Sequence, residues 1–218
     1  MTPPPPTPDL SPGVTLLWAP PRSTALHQVA LSALHAAAGL GVWVDARDVA
    51  STTLLGDLAT PRTLRRLRIA RSWTAYQHHE LVRRLPGLLD ARTDLVVAPA
   101  VASLYADDDV PSPEDRRYLT ATLTVLAELA RVLDCAVLVS APPGGAFADL
   151  VRSYAGYEIA VERTALGHRF VAEDFETTVY WGDGWWQTTI PYWVDLLGAA
   201  GADAAATAYD LGLVDAEA

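Results

Sequence analysis

Between an apolar run over 14–18 and a helical pattern that begins at Thr24 lies a tight turn, the setting in which proteins cradle phosphate. A working loop of that kind needs glycines, so that backbone N–H groups close around the anion. It also needs a lysine for the outer phosphates and a Ser/Thr hydroxyl for Mg²⁺. Set against GPPGSGKT, this chain supplies Ala19, Pro20, Pro21, Arg22, Ser23, Thr24, Ala25 and Leu26. Ala25 stands in the place of the lysine and Leu26 in the place of the hydroxyl. The frame is kept while its chemistry is lost. Arg22 is either an anion contact beside the helix N-terminus or a solvated turn residue, and the second reading is favoured.

The remaining chemistry-bearing residues are sparse. His78 and His79 are adjacent, so they point to different sides of a helix, and no third ligand follows at the spacing of H-E-x-x-H. His27 and His35 also lack neighbouring cysteine or carboxylate partners. Asp107, Asp108 and Asp109 form an acidic run without EF-hand spacing. No G-x-S-x-G elbow occurs, and Cys135 falls in an apolar run that predicts a buried, inert thiol. No metal and no cofactor are expected. Two clusters suit binding instead. Arg62, Arg65, Arg66, Arg68 and Arg71, with Arg83 and Arg84 further on, make either a docking or phosphate-contacting patch or a solvated face paired with acids. Trp181, Trp185, Trp186, Tyr192 and Trp193 can stack on bases, anchor a protein interface, or close a hairpin over the core.

The elements that position these residues follow from periodicity. Apolar runs over 14–18, 42–44, 67–70, 95–98 and 136–140 alternate with helical patterns over 24–38, 74–89 and 113–133. That alternation predicts an α/β fold on a parallel sheet, and runs this apolar predict strands covered on both sides. The third helix carries start signals: Ser112 as cap, Pro113 in the first turn, Glu114 and Asp115 at the positive dipole end. Its residues Leu119, Leu123, Leu126, Leu129, Ala130 and Leu133 share one face. After Tyr157 the pattern changes to two hairpins, 157–163 with 168–172 and 177–181 with 185–190, then a helix over 191–200. The expected organisation is a proline-rich disordered arm over 1–12, a single domain over 13–200 and an Ala-rich acidic tail over 201–218.

Taken in order, several segments resemble the RecA/RadA recombinase superfamily, most closely its archaeal RadA/RadB branch. GVWVD at 41–45 looks like the family's second strand, and LRRLRIARSWTAYQ at 64–77 is similar to its RIxxARAFxxxxQ segment. DLVVAPAVASLY at 94–105 sits where the Walker B strand and its DSL continuation belong. Residues 135–141 resemble the AVVVTN strand, and Gly144 and Gly145 match the Gly-Gly before the last core helix. The likeness covers roughly residues 13–175 and rests on order and spacing more than on identity. It implies a RecA-like P-loop NTPase fold, mostly parallel, flanked by helices and ending in antiparallel hairpins.

The same resemblance implies a lost ATPase. The glutamate that orients the attacking water in active members falls at about Arg47, and the Walker B aspartate falls at Ala98 or Pro99. With Ala25 and Leu26, three parts of one machine are missing together. Of the family's two DNA-binding loops, the first carries Asp107, Asp108 and Asp109, which repel phosphate, and the second shrinks to Pro142 and Pro143. The family's N-terminal helical domain and polymerisation segment have no counterpart, so filaments are not expected. The expected role is an inactive, accessory partner of another protein in DNA recombination, repair or replication. The alternative is a regulator that binds nucleotide or single-stranded nucleic acid without turnover.

Composition bounds these readings. A chain of 218 residues, half of them apolar, builds one full-sized core. A single cysteine excludes a disulfide framework and fits a reducing cytoplasm. No apolar run is long enough to span a bilayer, and the first residues lack a secretion signal. All 16 basic residues are arginine and the net charge is −10. That balance fits a proteome adapted to high salt, and a GC-rich genome also favours arginine over lysine. In such a proteome, acidity is a weak argument against nucleic-acid partners.

Overall fold

A strand buried on both faces must send alternate side chains into two separate cores, and four strands here do so. Val14, Leu16 and Trp18 face one core while Leu17 faces the other. Val42, Val44 and Ala46 oppose Trp43, Val96 and Ala98 oppose Leu95 and Val97, and Val137, Val139 and Ala141 oppose Ala136 and Leu138. The computed structural model describes residues 7–20, 23–108, 110–164 and 167–177, together with the backbone of two strands over 179–182 and 185–188.

Among the described residues the order is β1 (Gly13–Trp18), α1 (Ala25–Ala36), β2 (Leu40–Ala46), α2 (Thr52–Leu58), α3 (Pro61–Leu64), β3 (Leu67–Ser72), α4 (Ala75–Arg84), β4 (Thr93–Ala98), α5 (Glu114–Leu133), β5 (Ala136–Ala141), α6 (Ala148–Arg152), β6 (Tyr157–Thr164), β7 (Gly167–Val171), β8 (Val179–Gly182) and β9 (Trp185–Thr188). The first seven strands form one sheet in the order β3-β2-β4-β5-β1-β6-β7, and β8 and β9 pair separately. β1 to β6 run parallel, and only β7 turns back against β6. The expected α/β fold on a mostly parallel sheet, with helices on both faces and a C-terminal antiparallel hairpin, is therefore what forms.

The helices divide between the faces. α1 packs Ala25, Leu26, Val29, Ala30, Leu31 and Leu34 into one core, where Leu55 of α2 joins them. α5 packs Leu119, Leu123, Leu126, Leu129 and Ala130 into the other, beside Val82 of α4 and Val151 of α6. Each of the buried Val and Leu side chains among them contributes about 1.5–3 kcal/mol relative to exposure. The α1–β2 connection is tight: Gly39 donates its N–H to Asp94 Oδ2 at 2.5 Å. A Cβ at Gly39 would collide with the carbonyl oxygen of Arg92 and lie 2.8 Å from that carboxylate, so only glycine fits there.

Some expectations need correction. α5 is capped by Pro113 with no side-chain hydrogen bond, so Ser112 is not its cap. β3 lies at the sheet edge and is only partly covered, which departs from a strand buried on both faces. α2 and α3 are too short for a periodic signal. They start with hydroxyl caps instead: Ser51 accepts from the N–H of Leu54, and Thr60 from that of Thr63. The first hairpin forms, but its leading strand β6 also pairs with β1 and so extends the main sheet. Within the segment expected to be a free arm, Pro8 is buried and Leu10 packs against the α1 core. The helix expected over 191–200 and the tail over 201–218 lie outside the described residues.

Candidate functional site

In a parallel sheet the loops after the strands gather at one edge, and ligands bind where neighbouring connections leave toward opposite faces. Here β1 leads to α1 on one face, while its neighbour β5 leads to α6 on the other. The loop after β1, Arg47 after β2 and the Ala98–Pro99 step after β4 all lie along this carboxyl edge. The three positions that the resemblance singles out therefore share one edge of the sheet.

The details are those of packing. Ala25 is fully buried and Leu26 is 3% exposed, both in the α1 core. Ala19 donates its N–H to the Ala141 carbonyl at 3.2 Å, which ties the loop to β5. Ser23 donates its N–H to the Pro20 carbonyl, and its Oγ accepts the Ala25 N–H at 3.2 Å. Pro21 and Arg22 lie outside the described residues. Thr24 precedes α1 without a side-chain cap. At the end of β4, Ala98 and Pro99 are buried, and neither carries a group able to hold a cation. Beyond them a small apolar hollow of about 100 Å³ is lined by Ala100, Ala102, Ala106, Pro142 and Phe147.

Arg47 is the position at which the resemblance expects a water-orienting glutamate. It reaches across to the loop after β4, donates to the Ser103 carbonyl at 2.9 Å and pairs with Asp107. Both Arg47 and Asp48 have positive φ, 61° and 56°. The buried Asp45 holds that turn, since its Oδ1 accepts the Ala50 N–H at 3.0 Å and the Trp43 indole N–H at 3.3 Å. Burial pushes the Asp45 carboxyl above its ordinary range, against the pull of those donors and of Arg71.

The arginine patch separates into two kinds of side chain. Arg66 is a structural cap: its guanidinium donates to the carbonyls of Leu34, Ala37 and Gly39 at 2.5, 2.7 and 3.1 Å, at the end of α1. Arg71 donates to the Ala50 carbonyl at 3.1 Å and pairs with Asp48 at 3.2 Å. Arg83 and Arg84 both pair with Glu80. Arg62 on α3, Arg65 at its end and Arg68 on the edge strand β3 are exposed charges. Arg66 is thus engaged in the fold, while Arg71 stays exposed although paired. Arg66→Ala is expected to cost about 2 kcal/mol in urea unfolding, because three carbonyls lose charged donors. Arg68→Ala is expected to stay within about 0.5 kcal/mol.

His78 and His79 do diverge, and a hydrogen-bond chain joins them. His78 Nδ1 lies 2.8 Å from the Tyr105 hydroxyl, which lies 2.8 Å from Thr122 Oγ1, which lies 3.1 Å from His79 Nδ1. Burial pushes His78 down to about 4 and Tyr105 up, out of its ordinary range. Cys135 is buried just before β5 rather than within it, and burial pushes its thiol up to about 11. Among the described residues, no three His, Cys, Asp or Glu side chains gather as a metal would require. No helix among them is long and apolar enough to cross a membrane. The side chains of Trp181, Trp185 and Trp186, and all of Trp193, lie outside the described residues.

Sequence reading missed two groupings. Trp73, just before α4, is 63% exposed; on α4 Tyr76 meets the Tyr118 ring edge to face at 5.4 Å, and Arg117 lies 5.2 Å above the Tyr118 ring. His168 of β7 reaches α1, with Nε2 3.4 Å from Ser23 Oγ and Nδ1 3.0 Å from Gln28 Oε1. No local pattern announces the second grouping, since 140 and 145 residues separate its members. Comparison with protein families and with characterised proteins finds no match to this chain.

Proposed function

We propose that the chain is a RecA/RadA-like protein with a degenerate nucleotide site, acting as an accessory partner of another protein in DNA recombination, repair or replication. The observation that carries this reading is the burial of Ala25 and Leu26 in the α1 core. A lysine and a magnesium-binding hydroxyl would have to project from those positions toward the phosphates. Arg47, bound to Asp107 and Ser103, and Ala98 at the end of β4 add to the same reading. Without a metal clamp and a water-orienting carboxylate, little stabilisation of a phosphoryl-transfer transition state is left.

The exposed Arg62 on α3 and Arg65 at its end, with Arg68 on the adjoining edge strand β3, supply the docking surface. An edge strand offers backbone hydrogen bonds to an added segment, and the three cations select an acidic one. Affinity capture from the native host tests this role. The wild type should retain a component of the DNA-maintenance machinery, and Arg62→Glu/Arg65→Glu/Arg68→Glu should lose it with folding intact. Unchanged capture by the triple variant removes this surface from the reading. Capture only of proteins unrelated to DNA removes the role itself.

The exposed Trp73 and Tyr76, with the half-buried Tyr118 beside Arg117, favour one second reading, a regulator that stacks single-stranded nucleic acid without turnover. A fluorescence titration with an oligonucleotide, repeated across salt concentrations, separates the two. Binding that weakens with salt and is lost in Trp73→Ala supports the second reading; no binding leaves the first.

A further inference from the structure

The contacts between β7 and α1 set a hydroxyl, an imidazole and a side-chain amide in series. Gln28 Oε1 accepts from His168 Nδ1–H at 3.0 Å, which leaves Nε2 as the acceptor facing Ser23 Oγ at 3.4 Å. This is the order of nucleophile, base and orienting group that acyl transfer uses, with a spacing typical of a site awaiting substrate. All three residues are partly open to solvent. Ser23 sits at the start of α1, where the N–H groups of Leu26 and His27 precede the first intrahelical bond, made by Gln28. Arg163 stands directly opposite His168 in the β6–β7 pair and is exposed.

We propose that Ser23, His168 and Gln28 form an acyl-transfer site that hydrolyses small, negatively charged carboxylic esters. Ser23 Oγ attacks the ester carbonyl as its proton passes to His168 Nε2, and the carbonyl oxygen becomes an oxyanion facing the first-turn N–H groups. The carbon–oxygen bond to the leaving group breaks, and His168 returns the proton to the departing alcohol. Water, deprotonated by the same nitrogen, then releases the acid and restores Ser23. Arg163 attracts the negative charge of the substrate. This activity goes beyond the accessory role and requires no nucleotide.

The test uses the full chain with a fluorophosphonate probe and with p-nitrophenyl succinate. The expected result is a covalent adduct on Ser23, located by peptide mass spectrometry and absent in Ser23→Ala. Ester hydrolysis should fall about 100-fold in Ser23→Ala and in His168→Ala, as loss of a nucleophile or general base implies. Burial and Arg163 both hold the His168 ring below its ordinary value, so the rate should rise with pH through an apparent pKa below 6.5. Arg163→Ala should move that pKa upward and erase the preference for succinate over acetate esters. Melting curves identify any variant that fails to fold, and Ser23→Ala removes only one oxygen. An adduct that is absent or placed elsewhere, or hydrolysis unchanged in Ser23→Ala, would show the three residues to be only a tie between hairpin and helix.

Discussion

Truncating Trp43 to alanine is expected to lower stability by about 4 kcal/mol, read as a fall in the urea midpoint at neutral pH. Trp43 is fully buried at the centre of β2, opposite Ile69 of β3 and Val97 of β4. Its ring lies 5.1 Å from that of His27, so it joins α1 to the sheet. Its indole N–H is also one of the two donors to Asp45 Oδ1. Alanine therefore leaves a cavity and strips a buried carboxylate that is already poorly solvated. Trp43→Phe keeps most of the volume and removes only the donor, so it should cost about a third as much. Equal losses in the two variants would show that the hydrogen bond, and not the volume, dominates.

Acidification from pH 7 to pH 4 should remove about 3 kcal/mol through His78 alone. In the folded chain burial holds His78 at about 4, while an unfolded histidine titrates near 6.5. Below 6.5 the unfolded state binds the proton first, so stability falls as pH drops and stops falling near 4. His27, His79 and His168 are shifted the same way, chiefly by burial, and add to the loss over the upper part of that window. Asp45 opposes them, because its carboxyl is raised and the folded state gains from its protonation. Glu80, pushed down to about 2 by Arg83 and Arg84, adds a solvent-screened loss that begins as pH falls through the ordinary carboxylate value of 4.5 and is complete near 2. Urea unfolding at several pH values checks this, and His78→Gln should flatten the slope between 6.5 and 4. An equally steep slope in that variant would assign the transition to other groups.

The parts legible in the sequence are those set by local pattern. The five parallel strands and α5 come from runs and a periodicity that survive in one stretch of chain, and Leu119 to Ala130 face the core as their spacing implies. The strand, turn and helix over β1 and α1 are legible too, because an apolar run, a Pro-rich turn and a helical pattern follow one another locally. What stays hidden depends on reach. Arg66 looks like surface charge, yet its stem carries the guanidinium to carbonyls 27 to 32 residues away. Arg71 is drawn in by a turn whose shape depends on the buried Asp45. The pairing of β6 with β1 and the meeting of His168 with Ser23 join distant segments, which no periodicity encodes. Ser112 fails as a cap for a local reason, since the helix begins one residue later than its hydroxyl would require.

The most direct test of the proposal that the nucleotide site is lost is phosphate release from ATP and Mg²⁺ by the purified chain. The expected result is release no faster than in protein-free buffer, at every protein concentration. Release that scales with protein, needs Mg²⁺ and disappears when the loop after β1 is altered at Ser23 and Thr24 would contradict it.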